Sequence, residues 1–167
     1  MATMDHELKP ILQKLSLCRD MESLKTTFAM IPADTSQLLK YIRFDAESYT
    51  RNRVIRTDKF EILVLCWKTG QESKIHNHED STCMFMVVEG ELTDTHFVRN
   101  SDQLISISVN ELSYGQRSLL FGENYYHKIS NNSNVDAVSI HLYSPPLGEY
   151  QIIDNEFVED WQTEVIV

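Results

Sequence analysis

Residues 70–91, GQESKIHNHEDSTCMFMVVEGE, decide how the rest of the chain is read, and at their centre stand His76 and His78. Side chains alternate between the faces of an extended strand. Positions i and i+2 therefore point the same way, and two imidazoles converge as metal ligands do. Gly70 precedes the pair, Cys83 follows it, and Gly90 closes the stretch in a Glu-Gly turn between two runs of strand-like residues. The spacing predicts a ligand-bearing strand that enters a hairpin, 84–88 with 91–98.

The pattern G-x5-H-x-H-x4-C-x6-G resembles the first motif of the cupin superfamily, with Cys83 where the usual glutamate ligand stands. A third neutral ligand must then come from elsewhere. The run HKISN offers His127, with Asn131 four residues on, similar to the His-x3-Asn end of the second cupin motif; the glycine and proline spacing before it is not matched. Within the cupins the chain resembles the cysteine dioxygenases. The likeness rests on YTRN (49–52), LCW (65–67), IHNHEDSTC (75–83) and SIHLYSPP (139–146), in the family's order and covering roughly residues 45–150. It implies a mainly β fold, a cupin-type β-barrel of jelly-roll kind.

The 167 residues fit one domain, 1–167, with a helical segment over about 5–44 and the barrel over about 45–167. With 15 basic against 25 acidic residues the net charge is -10, which opposes nonspecific binding to nucleic acid or an anionic membrane. Cys18, Cys66 and Cys83 are too few and odd in number for a disulfide framework, and no leader resembling a signal peptide is visible. A cytosolic monomer is expected. The longest apolar run, 62–67, falls far short of the ~20 residues that span a bilayer.

Ahead of the β region, Leu8, Ile11, Leu12 and Leu15, then Leu24, Phe28 and Ile31, recur at helical spacing and predict two or three helices, with Asp34 or Thr35 capping the last. His6 is read as a solvent-facing residue. The run FEILVLCW (60–67) reads as a strand buried on both sides, with Cys66 a core residue. Strands are also expected over 104–109, 118–121 and 135–143, with a strand or two after Leu147. His96, Arg53 and Arg56 are read as ordinary surface residues, and Ser144-Pro145 as a candidate cis peptide.

Three positions change meaning with the resemblance. Read alone, Arg51 is a surface arginine partly covered by Tyr49; the resemblance implies that it clamps a substrate carboxylate with Tyr49 supporting it. In 135–143 Ser139, His141 and Tyr143 share one strand face, which suits a solvent row or a buried polar chain equally; the resemblance implies a hydrogen-bond chain behind the metal. Cys83 and Tyr143 are by default structural, whereas the resemblance implies a thioether that fixes the phenol over the site. Tyr150 or a neighbour stands where animal members have a cysteine.

Three imidazoles leave a divalent ion its full charge and suit iron, copper, zinc or nickel alike, so a hydrolytic reading stays open, with Glu79 and Asp80 as the acidic residues near the motif. The resemblance implies Fe(II) held by His76, His78 and His127, with L-cysteine and O2 as substrates and cysteine sulfinic acid as product. A dioxygenase of another small thiol acid such as 3-mercaptopropionate, and a metal-binding cupin without turnover, are the alternatives.

Overall fold

The computed structural model describes residues 8–101 and 103–148. His6, Tyr150 and the strands expected after Leu147 lie outside the described residues, apart from the few positions up to Gly148.

Two helices come first, α1 (Leu8–Leu17) and α2 (Met21–Ala29), followed by two 3-10 turns, Thr35–Gln37 and Leu39–Tyr41. Helix α2 begins where Asp20, in extended conformation, accepts the Ser23 N–H at 2.8 Å, which satisfies an N–H that the first helical turn leaves free. Its Leu24 and Phe28, one turn apart, are both buried. As the sequence suggests, Asp34 starts the next turn, accepting the Ser36 N–H at 2.8 Å. No helix among the described residues is long and apolar enough to cross a membrane.

Eight strands follow among the described residues: β1 (Thr50–Arg56), β2 (Glu61–Trp67), β3 (Thr82–Glu89), β4 (Leu92–Asn100), β5 (Gln103–Leu112), β6 (Arg117–Leu120), β7 (Tyr125–Ser130) and β8 (Ala137–Ser144). They form a five-stranded sheet in the order β1-β2-β8-β3-β6 and a three-stranded sheet in the order β5-β4-β7, with antiparallel pairing throughout. This is a jelly-roll arrangement; among the described residues the two sheets do not close into a barrel.

The five-stranded sheet is covered on both faces, which explains why β2 and β3 read as nearly continuous apolar runs. Ile62, Val64 and Cys66 of β2, Met84, Met86 and Val88 of β3, and Val138, Ile140 and Leu142 of β8 pack with Leu15, Leu24, Phe28 and Leu38 from the helical segment. The alternate residues, Leu63, Leu65 and Trp67, then Cys83, Phe85 and Val87, join Leu92, Leu112 and Ile129 on the other side. Period-two alternation thus divides each strand between a helix-facing layer and an inter-sheet layer. The site lies in the second.

The expected hairpin at Glu89-Gly90 does not form. β3 pairs with β6 and β8, while β4 pairs with β5 and β7, so the Gly90 corner carries the chain from one sheet to the other. An apolar strand, a Glu-Gly pair and a second strand look alike in either arrangement; what separates them is that the apolar faces of β3 and β4 have different partners. Gly90 has φ +72, and a Cβ built there would lie 2.5 Å from the Asp136 carbonyl oxygen. Gly90→Ala combines a left-handed backbone with a backbone clash, and is expected to lower unfolding stability by about 2–4 kcal/mol. Denaturant unfolding monitored by tryptophan fluorescence measures this; a loss below half a kcal/mol would show that the corner yields freely.

Arg53 and Arg56 also differ from expectation. Both reach Glu61, whose side chain is fully buried, with Arg53 Nε at 2.8 Å from Oε1 and Arg56 Nη1 at 3.0 Å from Oε2. A carboxylate taken out of water at the start of a central strand needs such partners, and β1 runs alongside to supply them. Ser144-Pro145 is cis.

Candidate metal centre

The two histidines of the motif sit differently from the strand expected of them. Residues 71–81 form a connecting segment rather than a strand, pinned to β7 by isolated bridges at Glu72–Ser130 and His76–His127. The His76 N–H donates to the His127 carbonyl at 3.0 Å, and the His127 N–H returns to His76 at 2.8 Å. This exchange brings together ligands distant in sequence, because a backbone pair fixes side chains opposite one another. Further pins hold the segment: Asn77 Nδ2 donates to the Glu123 carbonyl at 3.1 Å, and Ser81 Oγ to the Pro145 carbonyl at 2.7 Å.

His76, His78 and His127 converge, each offering one nitrogen, with all three nitrogens within 4.8 Å of one another. His78 Nε2 and His127 Nε2 are 3.0 Å apart, about the separation of two nitrogens each ~2.1 Å from one ion at a right angle. Tautomers follow from the outer partners. His76 Nδ1 donates to the Lys74 carbonyl at 2.8 Å, and His127 Nδ1 donates to Asp94 Oδ1 at 2.9 Å, so each leaves Nε2 with a free lone pair. Burial, with His127 adding to it, pulls the His76 imidazole down to about 3, and burial with both neighbouring histidines pulls His78 well below its usual range. Both are neutral at pH 7. This donor set fits a divalent transition ion.

Behind His127 lies a group that the sequence reading missed. Asp94 on β4 is fully buried; besides His127 its carboxylate accepts from His96 Nε2 at 2.7 Å and from the Ser118 hydroxyl. Burial alone would raise this carboxyl, but the hydrogen bonds from His127, His96 and Ser118 hold it well below the carboxylate range. His96 is therefore part of the network behind the site rather than a surface histidine. The signal was present: Asp94 and His96 are i and i+2 on a strand, the same logic applied to His76 and His78. Asp94→Asn keeps the shape and removes the charge; it is expected to weaken metal binding 10–100-fold, read by chelator competition, with unchanged affinity contradicting Asp94's role.

Across the inter-sheet layer, the strand face of β8 resolves in favour of a buried chain. Trp67 Nε1 donates to Ser139 Oγ at 3.0 Å, Ser139 Oγ lies 2.8 Å from His141 Nε2, and His141 Nδ1 lies 3.3 Å from the Tyr143 hydroxyl. Phe85 stacks on His141 with centroids 4.7 Å apart. Cys83 and Tyr143 are register partners on β3 and β8, both buried. Burial pushes the Cys83 thiol and the Tyr143 phenol well up, so both are protonated at neutral pH.

The Tyr143 ring joins the two halves of the site. Its centroid is 5.0 Å from that of His78, and Arg51 Cζ lies 5.9 Å from it on the β1 side. Arg51 Nε and Nη2 are buried with no hydrogen-bond partner among the described residues. Burial opposes the guanidinium's charge, and Tyr143, Tyr49 and Cys83 favour it. Tyr49 stacks on Trp67 at 4.3 Å. Glu79 and Asp80 are exposed on the turn after His78, so neither supplies the general base that a hydrolytic reading needs. Asn131, fully buried, ties the chain after β7 to the end of β2, donating to the Trp67 carbonyl at 3.0 Å.

Comparison with known proteins agrees with this geometry. The family model described as cysteine dioxygenase type I matches residues 2–156. The chain is 31% identical over 140 residues to human cysteine dioxygenase type 1, covering 81% of this chain and 70% of that protein. In fold it is similar to an uncharacterized conserved protein with a double-stranded β-helix domain from Klebsiella pneumoniae (TM-score 0.53, 19% identity, 65% of this chain and 86% of that one). It is also similar to the Cnp3 cupin domain of Schizosaccharomyces pombe (TM-score 0.51, 10% identity, 77% of this chain and 80% of that one). The chain belongs to the cysteine dioxygenase type I family.

Proposed function

We propose that this protein is an iron-dependent dioxygenase that converts L-cysteine and O2 to cysteine sulfinic acid, acting as a monomer in the cytosol. The observation that carries the reading is the pairing of a three-histidine donor set with a buried arginine, two of whose nitrogens have no partner among the described residues, with His78 at 5.0 Å and Arg51 at 5.9 Å from the Tyr143 ring. A buried donor without an acceptor is costly, and a carboxylate-bearing substrate repays that cost. The three free cysteines agree with a reducing compartment.

In this reading His76, His78 and His127 hold Fe(II), and the bound metal supplies the redox chemistry that couples dioxygen to a thiolate. The chain's residues supply position. Arg51 takes the substrate carboxylate through its two free nitrogens, and Tyr49, held flat by Trp67, supports it. Tyr143 sits between carboxylate and sulfur ends as a neutral phenol able to donate a hydrogen bond, oriented by His141 and Ser139. Cys83 lies opposite it on β3; a thioether between the two would break the S–H and one ring C–H bond, with both hydrogens and two electrons passing to dioxygen, and would immobilise the ring. The balance is RSH plus O2 giving RSO2H: sulfur is oxidised by four electrons, dioxygen takes all four, and no external reductant enters. The test is oxygen uptake by iron-loaded protein with cysteine and with 3-mercaptopropionate. One sulfinate per O2, with cysteine the preferred substrate in competition, is expected. Iron and cysteine binding without oxygen consumption would make the protein a binder instead.

A further inference from the structure

We propose that His96 and Ser118 are positioning residues that draw the Asp94 carboxylate away from His127, so that the third ligand of the metal centre is held to a moderate donor strength. This rests on the three-histidine centre of the proposed function and not on turnover. Asp94 takes donors from three strands among the described residues. His127 on β7 gives Nδ1–H to Oδ1 at 2.9 Å, His96 on β4 gives Nε2–H to Oδ2 at 2.7 Å, and the Ser118 hydroxyl on β6 gives to the same Oδ2. His96 Nε2 faces a carboxylate oxygen and therefore carries a hydrogen; Ser118 Oγ, 3.3 Å from that nitrogen, then has Oδ2 as its acceptor. β4 brings His96 to this place as the register partner of His127, two residues from Asp94 on the same face. β6 belongs to the other sheet, so Ser118 reaches the carboxylate across the inter-sheet layer.

One negative charge is thus divided among three donors. A carboxylate that accepts several hydrogen bonds is less basic than one that accepts a single bond, whereas a carboxylate given wholly to the N–H of a ligating imidazole makes that ligand a stronger donor. With Oδ2 engaged twice, Asp94 pulls less on the His127 hydrogen. Asp94 is fully buried and the His96 side chain only 16% exposed, so protein groups rather than solvent set this sharing. Removing one of the two outer donors leaves Asp94 ionised through the bonds that remain, and more of its charge passes to His127. A group that merely props the site loosens the metal when it is removed; these two should tighten it. The more basic ligand favours the ferric over the ferrous ion, because the higher charge gains more from it. Moderating His127 therefore favours the divalent state in which the proposed reaction begins.

Two readings test this without turnover: Zn(II) affinity of the metal-free protein by chelator competition, and the Fe(III)/Fe(II) midpoint of the iron-loaded protein by spectroelectrochemistry. His96→Phe fills the same space without the N–H, and Ser118→Ala removes the hydroxyl. Each should bind Zn(II) at least about threefold more tightly than the wild type. Each should also raise the ratio of Fe(III) to Fe(II) affinity by about the same factor, a midpoint lower by about 28 mV. His96→Gln, which restores an N–H donor, should bring both readings back to within about twofold of the wild type, and Asp94→Asn should move both the other way. Should His96→Phe not fold by circular dichroism, Ser118→Ala decides alone. Unchanged or weaker Zn(II) binding in the folded variants, or a midpoint that does not fall, overturns the inference. The expected shifts in a protein that consumes no oxygen with cysteine would instead sink the dioxygenase reading and leave the moderation of His127 standing.

Discussion

His127→Ala is expected to abolish metal retention and oxygen consumption together. In the proposed centre His127 is the ligand supplied by the three-stranded sheet; His76 and His78 come from the segment before β3 and would not enclose an ion alone. Loss of an outer-shell partner typically costs 10–100-fold in affinity, so loss of the ligand itself should cost at least about a thousandfold. The variant also strands Asp94, whose Oδ1 loses its 2.9 Å donor while Oδ2 keeps His96. A further loss of about 2–3 kcal/mol in stability follows from the unpaired buried carboxylate oxygen and the cavity. Metal content after equilibrium dialysis, with circular dichroism to confirm folding, measures the effect. Wild-type occupancy in a folded variant would place the ion elsewhere.

Changing Arg51 should separate function from stability. A buried guanidinium with two nitrogens unpaired among the described residues destabilises the substrate-free protein, and in the proposed complex a carboxylate that accepts from both compensates. Losing one partner of such a desolvated pair costs about 3–4 kcal/mol, so Arg51→Ala is expected to lower kcat/KM for cysteine by about 10²–10³. Arg51→Met, which fills the space with apolar atoms, should show the same loss in activity while raising unfolding stability by about 1 kcal/mol. Metal affinity should change little, since Arg51 acts on His76 and His78 only through its charge. Steady-state kinetics and denaturant unfolding on the same preparations give both numbers. Unchanged affinity for cysteine would move the carboxylate site away from β1.

How far the sequence could be read depended on whether a feature was local. The helices, the buried β2 and the shared face of Ser139, His141 and Tyr143 follow from spacing alone, because periodicity fixes which side chains share a face. That the face of β8 is buried rather than wet required knowing that β2 and β3 flank it, and the apolar alternate residues are silent on that. The Gly90 corner misled for the same reason: a sheet-to-sheet crossover and a hairpin share local chemistry. The i, i+2 logic found His76 and His78 even though they lie off a regular strand; their convergence with His127 comes from a bridge over fifty residues in sequence separation. Asp94 and His96 were visible as a strand pair, yet nothing local distinguishes a carboxylate behind an imidazole from one in water. The unpaired nitrogens of Arg51 became visible only once its surroundings were placed.

The most direct measurement is the origin of the product's oxygen. Iron-loaded protein turning over cysteine under 18O2 should give a sulfinate that carries two heavy atoms, both from the gas and neither from solvent. A product with one heavy atom, or with none, would contradict the account.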